Sequence, residues 1–565
     1  MIETFTARSG ALTARVDGIA LHSPYDPARE ARRFVEANVG QYPPSAVVVL
    51  GEGLGYVSAA LESLYPGVRL IQVFYSDEIM TMGNGRGAAA AARSGLGDGV
   101  QGIPVHGGVG PAWCPGMKAG LSAFLASSLG ELDLEGLRLI EWPPSARIFP
   151  AVSRNANQSV HRFVQELNGS FATTLAAGRL WMRNAISNFL AIDSTLVGEL
   201  CPAVRPILIA APGPSLEEAA SLIAEVRSRV ELWALPSSSL LLRERGLSPD
   251  LVVMTDPGYY SLHHVRFSSP SCPFAMPLSA ARGTWDLPWM DRQEPPTAPF
   301  LLEQPGFFEK ALLEEAGVHA PLIMPHGTVA ATALDLALAS TNAPVIIAGL
   351  DMCTRDISLH ARPNAFDCLL HLQSTRLSPH YSLSFQRAAA QRVEHVPGAA
   401  GVRASPSLRT YAGWFNEPRP DIAPRAYRLL PSPVRLEGMR DLDPSSLRLL
   451  LDGSPETPRG PRLRIHGAFP RREERHRIVS RLLKGWTDEL AAAHATALSF
   501  QTLDLLGHSP SLLSLAYHIE PQRLLETRRK SRQGDSNGAL AAAKEMLERC
   551  IDFLREISEK TGAAA

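Results

Sequence analysis

Apolar residues fall along this chain in two textures: short, β-branched runs, and longer stretches in which they recur every three or four positions. Ala46 to Leu50 (AVVVL) is an apolar run that gives way to Gly51, Gly53 and Gly55 and then to a helical pattern over Tyr56 to Leu64. That order predicts strand, glycine turn and helix. A second run, Leu70 to Phe74, ends at Tyr75, Ser76, Asp77 and Glu78, so the pair predicts the first half of a Rossmann-like α/β domain before residue 150.

From Gln158 to Leu200 no proline interrupts a stretch rich in Ala, Leu and Asn, which predicts two consecutive helices or one bent helix bridging to the next domain. Between Ile207 and Asp351 the β/α alternation returns. ILIAA leads into a helix over Leu216 to Val226, VELWAL into one near Ser238 to Arg245, and LVVMTDP and PVIIAGLD follow, the latter preceded by a helix over Val329 to Leu338. Short β-branched runs separated by helices predict a buried parallel sheet. Residues 356–465 carry frequent prolines and predict loops, a lid or a connecting segment, whereas amphipathic helices dominate after about residue 470. The expected organisation is a Rossmann-like domain over 1–150, a central α/β domain over 151–410 and a mostly helical domain over 411–565.

Composition narrows the function classes. Lys plus Arg number 55 and Asp plus Glu 56, a net charge of −1 that gives no global attraction to nucleic acid or acidic membranes. The six cysteines (Cys114, Cys201, Cys272, Cys353, Cys368, Cys550) are scattered without a CxxC pair, so neither a zinc site nor a disulfide framework is indicated. The N-terminus lacks the features of a signal peptide, and no run of about 20 apolar residues occurs. A soluble, cytoplasmic protein is the expectation.

Two turns carry candidate chemistry. GEGLG (Gly51 to Gly55) would let backbone amides at a helix N-terminus approach a phosphate or carboxylate, with Asp77 and Glu78 where an acidic residue could meet a ribose; the same glycines would also serve a tight turn with no ligand. AAPGPSL (Ala210 to Leu216) runs from a strand through Pro212, Gly213, Pro214 and Ser215 directly into a helix, with Ser215 as a candidate N-cap. A glycine flanked by prolines makes a rigid turn whose amides and Ser215 hydroxyl could cradle a nucleotide phosphate, or simply start a capped helix.

Asp256 and Asp351 each follow an apolar strand, the position where ligands collect in open parallel sheets. They could orient a ribose, position an acceptor or hold Mg²⁺, or could cap the next turn. His326, beside Gly327 and Thr328 at a helix start, and His360, a short loop beyond Asp351, are candidate bases for a Ser or Thr hydroxyl, with His263 and His264 as weaker competitors. Tyr259 and Tyr260 could stack on a base, though packing explains them as well.

These segments resemble the motility-associated factor (Maf) family of flagellin glycosyltransferases, with its MptE-like central domain. The family's usual GxGPSL reads here as Ala211-Pro212-Gly213-Pro214-Ser215-Leu216. LHSPYDPAREARRFVE (Leu21 to Glu36) is similar to its N-terminal signature, LSPDLVVMTDP (Leu247 to Pro257) to its PDxVVxxDP strand, HGTVA (His326 to Ala330) to its GSSV turn, and IIAGLDMCTRDISLHA (Ile346 to Ala361) to its GxDL strand with a following His-Ala.

The resemblance implies two Rossmann-like α/β domains, the central one like GT-A enzymes or sialyltransferases with a parallel sheet, and a C-terminal helical domain. It implies transfer of a nonulosonic acid from a CMP-activated donor to Ser or Thr of flagellin. Gly213, Pro214, Ser215 and Leu216 would then serve the CMP phosphate and ribose, and His326, Thr328 and Tyr259 the donor. Asp256 and Asp351 would orient ribose or acceptor, and His360 would be the base. Gly51, Gly53 and Gly55 stand as a second candidate nucleotide site. No cofactor is required on this reading, although Mg²⁺ is compatible with it. The alternatives are an Mg²⁺-dependent enzyme like the pterin pyrophosphokinases, and a noncatalytic flagellin-binding chaperone.

Overall fold

The computed structural model describes residues 2–83, 110–192, 195, 197–200, 203, 205–268, 271–283, 299–396, 401–416, 424–454, 463–465, 468–496 and 509–562. Cys201 lies outside them. The chain forms two compact units: Met1–Ala176 with Leu490–Cys550, and Ala177–Glu489 with Ile551–Ala565.

The first unit is built on a four-stranded parallel sheet in the order Ala112–Trp113, Arg69–Val73, Ala46–Leu50, Leu137–Glu141. Every residue of Ala46–Leu50 is buried, which is why the run reads AVVVL: a strand covered on both faces has no polar side to alternate with. Helix Pro27–Val39 begins where the sequence punctuates it. Asp26 accepts the Arg29 amide at 3.0 Å, and Pro27 occupies the first turn, where no amide partner is lost.

The second unit contains an eight-stranded, all-parallel sheet. The chain enters it centrally at Ile207–Ala210, then steps outward through Glu231–Ala234, Leu251–Val253 and Phe274–Pro277 to Phe300–Leu302. It then returns to Val345–Ala348 on the other flank of the first strand, and Ala426–Leu429 and Arg440–Leu442 extend that side. The strand order therefore reverses between Ile207–Ala210 and Val345–Ala348. In open parallel sheets such a reversal leaves a crevice at the strands' carboxyl ends, because the connections on its two sides leave toward opposite faces. Helices Leu216–Val226, Ser239–Glu244 and Pro444–Leu451 cover one face of the sheet, and Val329–Ser340 with Pro406–Asn416 the other.

The bridging stretch is one helix, Pro150–Ala191, and not two, and the two units divide inside it. Three expectations change. The proline-rich region is more ordered than loops or a lid: it holds helices Ala365–Gln373, His380–Ala389 and Pro406–Asn416 and two strands of the large sheet. The boundary expected near residue 410 falls short of those two strands. Runs of three or four residues are too short to display a period, which is why they were illegible. The helices after residue 470 exist (Arg472–Thr496, Pro510–Ile519, Pro521–Arg532, Ser536–Thr561), but they are shared between the two units. Among the described residues no helix is long and apolar enough to cross a membrane.

Candidate functional site

At the reversal point the loop after Ile207–Ala210 and the loop after Val345–Ala348 are locked together. The Asp351 carboxylate accepts the Ser215 amide at 2.7 Å and the Ser215 hydroxyl at 2.5 Å. The Gly213 amide donates to Gly349 O at 2.8 Å, and the Ala361 amide to Pro212 O at 2.7 Å. Glycine is required twice here. A Cβ on Gly213 would lie 2.4 Å from Gly349 O, and one on Gly349, whose φ is +74°, would lie 2.2 Å from Ala211 O. Met352, next to the clamp, also has positive φ (+50°), a conformation that persists where surrounding contacts impose it.

The clamp corrects part of the sequence reading. Ser215 and Asp351 are 1% and 3% exposed, and Ser215 makes no side-chain cap for helix Leu216–Val226. Its hydroxyl faces Asp351 rather than outward, and the amides of Gly213 and Ser215 already have partners, so the turn is a brace and not an open anion cradle. Leu216 is wholly buried in the core beneath it. The outward groups near the turn are already partnered: Glu217 accepts the Arg362 amide at 2.8 Å, and Glu218 pairs with Arg355 at 2.6 Å.

His360 follows on the Asp351 loop. Its ring stacks near Phe366 (centroids 5.9 Å, 23° between planes) and meets His264 edge-on at 5.9 Å; His264 in turn lies 5.0 Å from Phe366. The Arg387 guanidinium sits over the Phe366 ring, 3.7 Å from its centroid. Removal from water, and secondarily the Arg387 charge, pushes His360 down to about 4. Burial, then the neighbouring His360, His263 and Arg387, pushes His264 down to about 3. Both imidazoles are therefore neutral at pH 7. Tyr259 and Tyr260 are 67% and 63% exposed, which sets packing aside, and stand beside this group, with Tyr260 6.1 Å from Phe366.

A second group forms around helices Val329–Ser340 and Pro406–Asn416. His326 Nε2 makes a short hydrogen bond to the Asp335 carboxylate, and its ring lies 4.7 Å from Trp414. Thr328 stands at the helix N-cap with extended backbone; its carbonyl accepts the Ala331 and Thr332 amides, but its hydroxyl caps nothing. Asp256 lies in the loop just beyond strand Leu251–Val253 and is exposed. Partial withdrawal from water raises its pKa, against the opposing effect of the Gly258 amide donated at 2.7 Å. Its charge, after burial, contributes to the raised pKa of Tyr411, which links Asp256 to the His326 side.

Sequence reasoning missed two asparagines that hold this edge. On the long helix, Asn184 donates to Pro257 O (3.1 Å) and Ser279 O (3.2 Å), and Asn188 donates to Leu278 O (2.8 Å) and Ala280 O (2.9 Å). The Ala281 amide then donates to Asp256 O at 3.0 Å, so one helix face fixes two loops behind Asp256. The available signal was a pair of amides at i and i+4 in a mostly apolar segment, a spacing that places both on one face. Arg387 was likewise missed, because nothing in its local sequence marks it.

The glycine turn of the first unit is filled from within. Glu52, 1% exposed, accepts the Ser58 hydroxyl at 2.8 Å at the start of helix Tyr56–Leu64, where an anion would bind. A Cβ on Gly53 would lie 2.2 Å from His22 Nε2, which accepts the Leu54 amide at 2.9 Å. Gly51 packs against Ser145 and Tyr75, and Gly55 adopts the left-handed conformation that opens the helix. The second candidate nucleotide site is thus occupied by the protein's own carboxyl group, whose burial pushes it up to about 7.

Residues 183–356 match the family model described as 6-hydroxymethylpterin diphosphokinase MptE-like, a span that contains the clamp, Asp256, His326 and Thr328. This part of the chain is similar to MptE-like domains. Along its whole length the chain has the fold of the MAf glycosyltransferase from Magnetospirillum magneticum AMB-1, with a TM-score of 0.55 and 13% identity over 100% of this chain and 93% of that one. Both findings agree with the Maf resemblance read from the motifs. Two uncharacterized proteins of Treponema pallidum (strain Nichols) are also similar. One is 25% identical over 296 residues (52% of this chain), the other 26% identical over 126 residues (22% of this chain). The matched region spans 60% of the length of each.

Proposed function

We propose that the chain is a cytoplasmic glycosyltransferase that moves a nonulosonic acid, of the pseudaminic or legionaminic type, from its CMP ester to Ser or Thr hydroxyls of flagellin. The observation that carries this reading is the fold shared along the whole chain with a Maf glycosyltransferase, with the family's GPSL and GxDL loops meeting at the point of strand reversal. Fold alone does not fix an activity, so the residues must be able to perform it.

In the reaction the acceptor oxygen bonds to the anomeric carbon as the bond from that carbon to the phosphate oxygen breaks. The electron pair leaves with CMP, and the hydroxyl proton passes to a base. CMP is a stable leaving anion, so the protein's tasks are positioning, charge stabilisation and removal of that proton. His360, neutral at pH 7, is in the protonation state a base needs. Asp256 orients the acceptor or the ribose, Tyr259 offers an open ring to the base, and Thr328 with His326 serves the donor. The Ser215–Asp351 brace sets the loop that carries His360. Among the described residues no group of three or more His, Cys, Asp or Glu side chains gathers to hold Mg²⁺, and Asp351 is engaged by Ser215, so no step is assigned to a metal.

The description of the matching family model favours a second reading, an Mg²⁺-dependent pterin diphosphokinase. Thermal shift of the purified protein with CMP, a CMP-nonulosonic acid, and ATP with Mg²⁺ separates the readings, because a ligand raises the melting temperature only where it binds the native state. Stabilisation by the CMP compounds is expected. Stabilisation by ATP alone would replace this reading with the diphosphokinase, and silence toward every nucleotide would favour a noncatalytic flagellin-binding chaperone.

A further inference from the structure

The turn that the motif marks for a phosphate has the amides of Gly213 and Ser215 engaged internally, and the cations beside it, Arg355 and Arg362, are paired with Glu218 and Asp367, so an anionic donor needs a receptor elsewhere on this edge. We propose that Arg387, laid on Phe366 and flanked by His264 and His360, recognises an anionic group of the sugar-nucleotide donor. This rests on the reading above and adds to it the residue that would select a charged sugar.

The geometry argues for a receptor. Among the described residues Arg387 has no carboxylate within ion-pair distance. The nearest candidate, Asp367, accepts Asn364 Nδ2 at 3.0 Å and lies 3.7 Å from Arg362 Nε. The guanidinium carbon lies 3.7 Å from the Phe366 ring centroid, a cation–π contact that uses the face of the ring and not a carboxylate, and arginine so held binds carboxylates or phosphates through its N–H fork. The groups facing it are Phe366, His264, His360 and Tyr260. Both imidazoles are neutral, so they add hydrogen-bonding nitrogens without adding charge. The cluster adjoins the brace directly, since His360 precedes Ala361, whose amide is held by Pro212 O.

A nonulosonic acid donor carries two such anions, the sugar carboxylate and the CMP phosphate, and one set of titrations separates them. Calorimetry on the full chain would compare wild type, Arg387→Gln and Arg387→Lys with three ligands: CMP, the intact CMP-nonulosonic acid, and that donor with its carboxylate converted to an amide. The expected result is that Arg387→Gln weakens the intact donor by about tenfold or more and Arg387→Lys by less, a charge-assisted hydrogen bond being of that size. If CMP is unaffected and the amide binds both proteins alike, the anion is the carboxylate. If CMP weakens equally, it is the phosphate. Equal affinity of wild type and Arg387→Gln for the intact donor overturns the assignment while leaving the proposed function standing. A wild-type protein that binds none of the three overturns both.

Discussion

Asp351 holds Ser215 with both carboxylate oxygens, one on the backbone amide at 2.7 Å and one on the hydroxyl at 2.5 Å, across the point where the sheet reverses its strand order. Because both residues are buried, breaking the pair on one side leaves polar groups without partners in a place water does not reach. Asp351→Ala should therefore cost about 3 kcal/mol and Ser215→Ala about 1 to 2 kcal/mol. Urea denaturation of the two single variants and the double variant would show strong coupling, the double loss being well below the sum of the singles. Additive losses would mean that the pair does not act as a unit.

Glycine positions give a paired comparison. Gly213→Ala must push its methyl into Gly349 O and Asp351, and a destabilisation of roughly 2 kcal/mol or more is expected. Gly485, inside helix Arg472–Thr496 with open space where a Cβ would sit, should instead gain about 0.5 to 1 kcal/mol on substitution by Ala. Melting temperatures moving in opposite directions would bear this out.

The carboxyl that fills the first unit's glycine turn makes stability depend on pH. Glu52 is pushed up to about 7 by burial, from an ordinary value of 4.5. Between those values the folded state holds a proton that the unfolded state releases, so this group's contribution is intact below about pH 4.5 and declines as pH rises through 7. Glu52→Gln, which keeps an acceptor for Ser58, removes that loss. Relative to wild type the variant should gain stability on going from pH 5 to pH 8. A difference that stays constant between the two pH values would show that Glu52 is not protonated in the fold.

Asn184 and Asn188 act at a distance from the proposed chemistry. Asn188→Ala removes two hydrogen bonds from a fully buried amide and should cost about 2 kcal/mol. Asn184→Ala frees the Pro257 and Ser279 carbonyls, loosening the loop behind Asp256. Transfer kinetics on that variant should show a lower kcat with the CMP affinity retained, and wild-type kcat would exclude the positioning role.

How much of this was legible in the sequence follows from the range of each interaction. Ala46–Leu50 and Ile207–Ala210 were readable because burial on both faces leaves an uninterrupted apolar run. Asp26-Pro27 was readable because capping is local. The roles of Ser215 and Asp351 were not, since their contact spans 136 positions and an Asp at a strand end looks the same whether it faces a ligand or a buttressing serine. The glycines of the first turn gave away their tight packing but not its occupants, because His22 arrives from 32 positions away and nothing local to Glu52 shows that its carboxyl turns inward. The two short strands after residue 420 were hidden by their length, and Arg387 by distance, its significance arising only where helix His380–Ala389 carries it to Phe366.

The central claim is sugar transfer, and intact-mass analysis tests it most directly. Flagellin incubated with the purified protein and a CMP-nonulosonic acid should gain the mass of one or more nonulosonic acid residues, with equimolar release of CMP, and His360→Ala should abolish the gain while CMP still binds. Unchanged flagellin mass with the folded, CMP-binding wild-type protein would contradict the account, as would wild-type transfer by the His360 variant for the assigned base.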